Sequence, residues 1–246
     1  MTRAEIQFVR SLNDKRTRDA EGLFIAEGSK LVEEILASHL VVRHVYTTRR
    51  ELHGANIELV TPQEMERISQ LKNANDTLAI VEQPRYRLNR EEVGKRLTLA
   101  LDGVQNPGNL GTIIRLADWF GIEDIICSSE CADCYNPKVV QATMGAILRV
   151  RVHYTANLAE LLSKSAAAGT PIYGTLLDGE NIYTQELSSH GIIVMGNEGR
   201  GLSDACRRAL THKLFIPPYP ADEPTSESLN VAMATGIIMA EFRRRK

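Results

Sequence analysis

Beyond residue 96 the chain alternates short apolar runs with stretches of helical periodicity, and this alternation most constrains the fold. Strands of a parallel sheet read as nearly continuous apolar runs, because helices cover both faces of the sheet. We therefore predict a C-terminal α/β domain with a mainly parallel sheet and helices on both faces. Its strands are predicted near Leu97–Leu101, Asp124–Cys127, Arg149–His153, Ile172–Leu176, Ile192–Met195 and Lys213–Ile216.

A polar, proline-containing stretch near residues 82–92 separates this domain from the N-terminal part of the chain. We predict a small α/β domain at 1–84, a linker at 85–95 and the main domain at 96–246. Apolar patterning in the first domain predicts helices at Glu5–Leu12, Ser29–Ser38 and Pro62–Gln70, and strands at Leu23–Ala26, Val41–Tyr46 and Leu78–Val81.

The first polar loop of the main domain runs from Asn106 to Arg115, directly after the strand predicted at Leu97–Leu101. It places amides, glycines and one arginine at the start of a helix. By helical geometry Arg115 lies away from the apolar face. Two interpretations stay open: Arg115 pairs with Asp118 on a solvated surface, or it faces a ligand.

The second loop, Gly196 to Ser203, breaks a buried strand into closely spaced glycines around the carboxylate of Glu198. Ser203 is a candidate N-cap for a following helix. The glycine spacing reverses that of dinucleotide-binding loops, and no Gly-Lys-Ser/Thr follows, so the sequence supports neither a Rossmann dehydrogenase nor a P-loop NTPase. An ordinary strand–turn–helix connection is the alternative interpretation.

The third segment joins a strand ending at Pro217-Pro218 to a helix that follows Ser228-Leu229-Asn230. Ser228 or Asn230 could simply cap that helix. All three segments follow predicted strands, and open α/β sheets bind ligands at the carboxyl ends of their strands. The sequence therefore predicts one ligand site at that edge.

The composition of the chain excludes fewer classes of function than the motifs do. The 246 residues carry a net charge of −2, so no global basic field points to a polyanion, although basic residues concentrate near the N-terminus. No basic–apolar–small signal pattern begins the chain and no apolar run is long enough to span a bilayer, so we expect a cytoplasmic protein. Cys127, Cys131 and Cys134 cluster without a nearby histidine, and we expect reduced thiols and no metal site.

Together, the three segments closely resemble the signature motifs of the SpoU (TrmH-type) RNA methyltransferases of the SPOUT superfamily, across roughly residues 97–242. The N-terminal part resembles the RNA substrate-binding domain often found ahead of that catalytic domain, through Ser11-Leu12, Lys15, Arg18 and residues 24–28. One departure is the loop at Tyr219–Ser226, which is longer and richer in proline and acidic residues than is usual in the family.

The resemblance implies S-adenosylmethionine as cofactor and methylation of a ribose 2′-hydroxyl in RNA, with rRNA favoured over tRNA. It also implies a homodimer and a deep trefoil knot, although chain physics alone would favour an unknotted open sheet. By position in the motifs, the implied catalytic residues are Asn109, Arg115, Glu198, Ser228 and Asn230, and the implied cofactor-binding residues are Thr175, Gly196, Ile216 and Leu229. The local basic cluster, together with the resemblance of the N-terminal part, assigns RNA binding to Lys15, Arg16 and Arg18.

Charge chemistry refines the role of Arg115. A guanidinium has an ordinary pKa of about 13, so using it as a base near pH 7 would cost about 8 kcal/mol. We favour a charged Arg115 that grips a phosphate and stabilises the developing alkoxide. The alternative from another class is a noncatalytic RNA-binding protein with the same fold. A small-molecule α/β enzyme is a second alternative for the function of the chain. For the basic N-terminal cluster, the alternative interpretation is a solvated helix face whose basic residues pair with Asp14, Asp19 and Glu21.

Overall fold

The structure is a computed structural model that describes residues 1–220, 226 and 228–244. Contacts divide the chain into two compact units. The N-terminal unit comprises Met1–Arg85 and Asp133–Leu148, and the C-terminal unit comprises Tyr86–Ala132 and Arg149–Lys246. The central part of the long Tyr219–Ser226 loop, residues 221–225, lies outside the described residues.

The N-terminal unit packs helices on a mixed sheet. Within the described residues the strand order is β1-β4-β2-β3, with β4 antiparallel to both β1 and β2, and β3 parallel to β2. Capping boxes begin two helices, with Thr2 and Glu5 on the first and Thr61 and Glu64 on the fourth. The elements of residues 1–85 are α1 (Arg3–Ser11), α2 (Lys15–Glu21), β1 (Leu23–Glu27), α3 (Ser29–Leu36), β2 (Val42–Thr47), β3 (Ile57–Leu59), α4 (Pro62–Ile68) and β4 (Thr77–Glu82).

The C-terminal unit is built on a parallel sheet of order β10-β8-β9-β5-β6-β7 in the described part of the chain. Every strand pairing in it is parallel, as predicted. The elements beyond residue 85 are β5 (Leu97–Leu101), α5 (Pro107–Trp119), β6 (Asp124–Ser128), α6 (Pro137–Thr143), β7 (Arg151–Thr155), α7 (Leu158–Ala167), β8 (Ile172–Asn181), β9 (Gly191–Met195), α8 (Asp204–Arg208), β10 (His212–Phe215) and α9 (Val231–Arg244).

The two central strands of this sheet, β5 and β9, are buried at every position. Successive side chains of a strand point to opposite faces, so complete burial means that both faces are covered. On one face Ala100, Ile192 and Val194 pack with Leu161 of α7 and Cys206 of α8. The predicted α/β architecture, with helices packed on a parallel sheet, is therefore confirmed.

Residues 133–148 differ from the expected organisation. They follow β6 in the chain but group with the N-terminal unit, where α6 packs on β1. Phe24 and Tyr135 contribute a ring contact there, with centroids 4.9 Å apart. The domain limits of 1–84, 85–95 and 96–246 stay a sequence-based prediction.

Helices α5 and α9 of the C-terminal unit pack side by side and parallel. Asn230, just before α9, contacts Asn109 near the start of α5, and Arg243 near the end of α9 donates to the carbonyl oxygens of Phe120 (2.7 Å) and Gly121 (3.0 Å). The helices are in contact near Gly236, where a Cβ would lie at ordinary van der Waals distance, 3.5 Å, from Leu116. Both helices therefore begin at the same end of the unit.

Candidate active site

Side chains from all three predicted motifs meet at the carboxyl edge of the parallel sheet. The Nδ2 group of Asn109 donates to Oε1 of Glu198 at 2.9 Å, and Nδ2 of Asn230 donates to Oδ1 of Asn109 at 3.0 Å. The three residues are far apart in sequence and come from α5, the loop after β9 and the residue preceding α9. Asn109 is the centre of this link, because it donates to one partner and accepts from the other.

Two helix starts hold the link in place. Asn106 caps α5 by accepting from the backbone N–H of Asn109 at 3.1 Å. Oδ1 of Asn230 accepts from the backbone N–H groups of Ala232 (3.0 Å) and Met233 (3.3 Å), so Asn230 caps α9 while its Nδ2 serves the site. The positive ends of two helix dipoles therefore face the same region, which favours an anion there.

The loop after β9 is held by Asn197, which sequence reasoning did not single out. Its Nδ2 donates to the carbonyl oxygen of Gly103 at 2.7 Å, and its Oδ1 accepts from the backbone of Gly199 and Arg200 at 3.0 Å each. A bridge of two 2.9 Å backbone hydrogen bonds joins Asn197 to Gly201. An amide directly after a buried strand, within closely spaced glycines, was the available signal.

Gly196 is required by the packing of that same loop. A Cβ at this position would overlap the Gly201 backbone and lie 2.5 Å from the Leu202 nitrogen. The far end of the loop is fixed by Asp102, whose Oδ2 accepts from the Ser203 backbone at 2.7 Å. As predicted, Ser203 also caps the helix that begins at Asp204. The turn interpretation of the second motif and the site interpretation are thus compatible.

Arg115 is exposed on α5 and makes no hydrogen bond or ion pair within the described residues. Asp118, its predicted alternative partner, instead receives Arg149 in a bidentate pair with distances of 3.0, 3.0 and 2.8 Å. The interpretation of Arg115 as the partner of Asp118 is therefore wrong. The guanidinium remains available to a ligand, although no hydrogen bond within the described chain joins it to Asn109, Glu198 or Asn230.

The residues implied for cofactor binding lie on neighbouring strand ends. Strands β10, β8 and β9 are adjacent, and Thr175 follows the last residue of β8 that pairs with β9. The Thr175 hydroxyl donates to Sδ of Met195 at 3.7 Å, directly before Gly196. Ile216 follows β10 and is half-buried, whereas Ser228 and Leu229 are exposed, Leu229 by 50%. The structure thus brings Thr175 and Gly196 together, and within the described residues it joins neither Ile216 nor Leu229 to them by a hydrogen bond.

The structure corrects one of the basic residues assigned to RNA. Arg18 is only 1% exposed. Its guanidinium donates to the carbonyl oxygens of Leu12 (2.9 Å) and Asn13 (2.8 Å) and pairs with Asp133 at 2.5 Å. Arg18 therefore holds the N-terminal unit together and is not available to a phosphate. Lys15 is exposed and pairs with Asp19 at 2.6 Å, while Arg16 is exposed with no side-chain partner in the described part of the unit.

All four cysteines are buried free thiols. A hydrogen bond with Cys127 is the largest cause that lowers the pKa of the Cys131 thiol to about 7, and Cys131 Sγ donates to the Leu101 carbonyl oxygen at 3.2 Å. Across the described residues, no group of three or more histidine, cysteine or acidic side chains is arranged to hold a metal ion. No helix in the same residues combines the length and apolar character needed to cross a bilayer.

Comparison with known proteins gives consistent matches for both parts of the chain. The model of the SpoU rRNA Methylase family matches residues 96–240, and that of the MRM3-like substrate binding domain matches residues 3–79. A Bacillus subtilis relative named 23S rRNA (guanosine(2553)-2′-O)-methyltransferase is 28% identical over 241 residues, covering 95% of this chain and 94% of the relative.

Two solved structures are similar over essentially the whole chain. A TrmH-family protein from Porphyromonas gingivalis shares 37% identity with a TM-score of 0.89, covering 100% of this chain and 99% of its own. An rRNA methyltransferase from Sinorhizobium meliloti, solved with AdoMet bound, shares 31% identity with a TM-score of 0.86, covering 100% of this chain and 96% of its own.

Proposed function

The chain belongs to the SpoU rRNA methylase family, and from that premise we propose that it transfers a methyl group from S-adenosylmethionine to a ribose 2′-hydroxyl of RNA. The observation that carries the proposal is the Asn109–Glu198–Asn230 link, together with Arg115, an exposed arginine six residues after Asn109 on α5 that has no internal partner among the described residues. The names of its relatives favour rRNA over tRNA as the substrate. A cytoplasmic location remains our expectation for such an enzyme.

The residues at the strand ends fit S-adenosylmethionine. Gly196 presents only backbone, Thr175 offers a hydroxyl, and Leu229 is a half-exposed apolar side chain beside Asn230. Backbone polar groups and apolar side chains suit an adenosine and a methionyl chain better than a highly charged ligand. When bound, the cofactor supplies a methyl group on a sulfonium, which is already an activated donor. The protein must then position the ribose and stabilise its oxygen.

Each polar residue of the site has a distinct proposed role. Oε1 of Glu198 is occupied by Asn109, which leaves Oε2 to accept a hydrogen bond from the ribose. A charged Arg115 holds the adjacent phosphate and stabilises negative charge on the 2′-oxygen, while phosphate or water takes the proton. Asn230 and Ser228 hold the ribose from the start of α9, where the helix dipole also favours the phosphate.

Further proposals concern assembly and topology. We propose a homodimer, because α5 and α9 carry large exposed apolar side chains, with Trp119 82% and Met233 62% exposed. We also propose the deep trefoil knot of the family, in which the C-terminal segment threads a loop. In the N-terminal unit, Lys15 and Arg16 remain proposed phosphate contacts, and Arg18 does not.

A labelled-methyl transfer assay on total RNA tests the proposal, with S-adenosylmethionine binding measured by calorimetry. We expect label in RNA, and nuclease digestion followed by mass spectrometry should place it in 2′-O-methyl nucleosides. RNA binding without transfer, in a protein that does not bind the cofactor, would instead support the noncatalytic alternative. Mapping 2′-O-methylation in RNA from a deletion strain then identifies the nucleotide.

A further inference from the structure

Arg200 is an exposed cation two residues after Glu198 in the loop that follows β9. Its guanidinium makes no hydrogen bond or ion pair within the described residues. Its backbone, by contrast, is fixed, because the Arg200 N–H donates to Asn197 Oδ1 at 3.0 Å. The Asn197–Gly201 bridge closes the loop around it, and Asn197 ties the loop to Gly103. A fixed backbone reduces the entropy lost when the side chain engages a ligand.

The surroundings of Arg200 are acidic. Three carboxylates follow neighbouring strands at this edge: Asp102 after β5, Glu130 after β6 and Glu198 after β9. The pKa of Glu130 lies below its usual range, mainly because its own backbone N–H and the hydroxyls of Ser128 and Ser129 donate to it, and the positive charge of Arg200 adds to that effect. Arg200 therefore lies within electrostatic range of the loop after β6.

An edge with these carboxylates would repel an RNA backbone unless cations offset them. Arg115 is one such cation, and the starts of α5 and α9 contribute partial positive charge. Asp102 accepts from the Ser203 backbone and Glu198 from Asn109, and no ion pair within the described residues joins either carboxylate to Arg200. Arg200 thus combines a fixed backbone with a side chain that no described residue engages.

We propose that Arg200 binds the RNA phosphate backbone beside the target ribose and offsets the acidic edge. This inference rests on the proposed function, since it assumes that RNA enters this edge. Arginine suits the role because its planar fork can donate two parallel hydrogen bonds to one phosphate. Glu130 opposes the same interaction by repelling the phosphate.

The test compares Arg200→Ala and Arg200→Lys with Arg96→Ala as the matched control. Arg96 is an exposed arginine of the same unit at the opposite edge of the sheet, paired with Glu123. For Arg200→Ala we expect the KM for RNA to rise about 5- to 20-fold at physiological salt. The magnitude of the slope of log binding constant against log salt should fall by about 0.7, the value for one phosphate of a single strand. S-adenosylmethionine affinity should not change, and Arg200→Lys should recover part of the loss.

Glu130→Gln should have the opposite effect to Arg200→Ala, because removing the Glu130 carboxylate should tighten RNA binding. An Arg200→Ala protein with the wild-type salt slope and RNA KM would overturn the proposal, as would an equal loss in Arg96→Ala. If wild-type protein binds RNA but transfers no methyl group, the proposed function fails, while the binding slopes still decide the role of Arg200.

Discussion

Charged side chains at the two edges of the parallel sheet differ in whether they have ion-pair partners within the protein. At the amino edge, Asp124 and Arg151 are cross-strand partners on β6 and β7, paired at 2.6 Å, and His153 bonds to the same carboxylate at 2.9 Å. Glu123 pairs there with Arg96 and Arg151. At the carboxyl edge Arg115 and Arg200 have no ion-pair partner within the described chain, and the Glu198 carboxylate accepts from the Asn109 amide.

This difference indicates what each edge does. Burial alone would raise the pKa of Asp124, but hydrogen bonds from His153 and Arg151 outweigh it and hold that pKa far below its usual range. Charges satisfied within the protein stabilise the fold. Charged side chains without an internal partner, such as Arg115 and Arg200, are available to bind a substrate. Substitutions at the amino edge should therefore change the stability of the fold, and substitutions at the carboxyl edge should change methyl transfer. The following variants test this expectation.

Arg115→Ala should have the largest effect on activity. We expect methyl transfer to fall by about 10³-fold or more, because a charged donor at a developing oxyanion is removed. The melting temperature and S-adenosylmethionine affinity should not change, since no described residue pairs with the side chain. Arg115→Lys should also fail, because a point charge lacks the planar fork. Wild-type turnover by either variant would remove Arg115 from the chemistry.

Asn109→Asp should have the next largest effect, because it replaces the amide that donates to Glu198 with a second carboxylate. We expect a loss of about 10²-fold in transfer near pH 7.5, and a smaller loss in Asn109→Ala. Two adjacent carboxylates raise each other's pKa, so lowering the pH should restore part of the activity in Asn109→Asp and none in Asn109→Ala. Wild-type activity of both variants at every pH would show that the Asn109–Glu198 contact does not contribute to methyl transfer.

Much of this architecture could be predicted from the sequence. The central strands β5 and β9 appear as apolar runs because they are buried on both faces, and the motifs follow strands in the order of the chain. Helix α2 escaped detection because it is polar throughout and its buried side chain is that of Arg18. The three-residue strand β3 has no fully buried position and therefore gives no periodic signal.

Pairing between distant residues could not be predicted. The cluster of basic residues grouped Arg18 with Lys15 and Arg16 as a phosphate contact. The sequence pattern does not show that Arg18 bonds to the carbonyl oxygens of Leu12 and Asn13 and to the carboxylate of Asp133. The same limitation applies at the site. The motifs placed Asn109, Glu198 and Asn230 at one edge, but the order in which they bond depends on the packing of α5 against α9.

Asp124→Asn tests the amino edge and should affect stability alone. Because the folded-state pKa of Asp124 is lowered, its contribution is present above about pH 4, the unfolded value, and is lost as the pH falls below it. We expect about 1–2 kcal/mol of destabilisation at pH 7 by urea unfolding, and convergence of the two proteins in acid. Methyl transfer per folded molecule should be unchanged, and a large loss of specific activity would contradict the expected difference between the two edges.

The smallest expected effect extends the same contrast to the N-terminal unit, where Arg18 is paired and Arg16 has no partner among the described residues. Lys15→Ala with Arg16→Ala should weaken RNA binding a few-fold and lower its salt slope by about 0.7 for each phosphate that is no longer neutralised. The melting temperature should hardly move, because the exposed Lys15–Asp19 pair contributes little to folding. Arg18→Met should instead lower the free energy of unfolding, because it leaves Asp133 and two carbonyl oxygens without their donor. The folded fraction of that variant should retain the wild-type slope. An unchanged slope in the Lys15/Arg16 double variant would show that these residues only solvate α2.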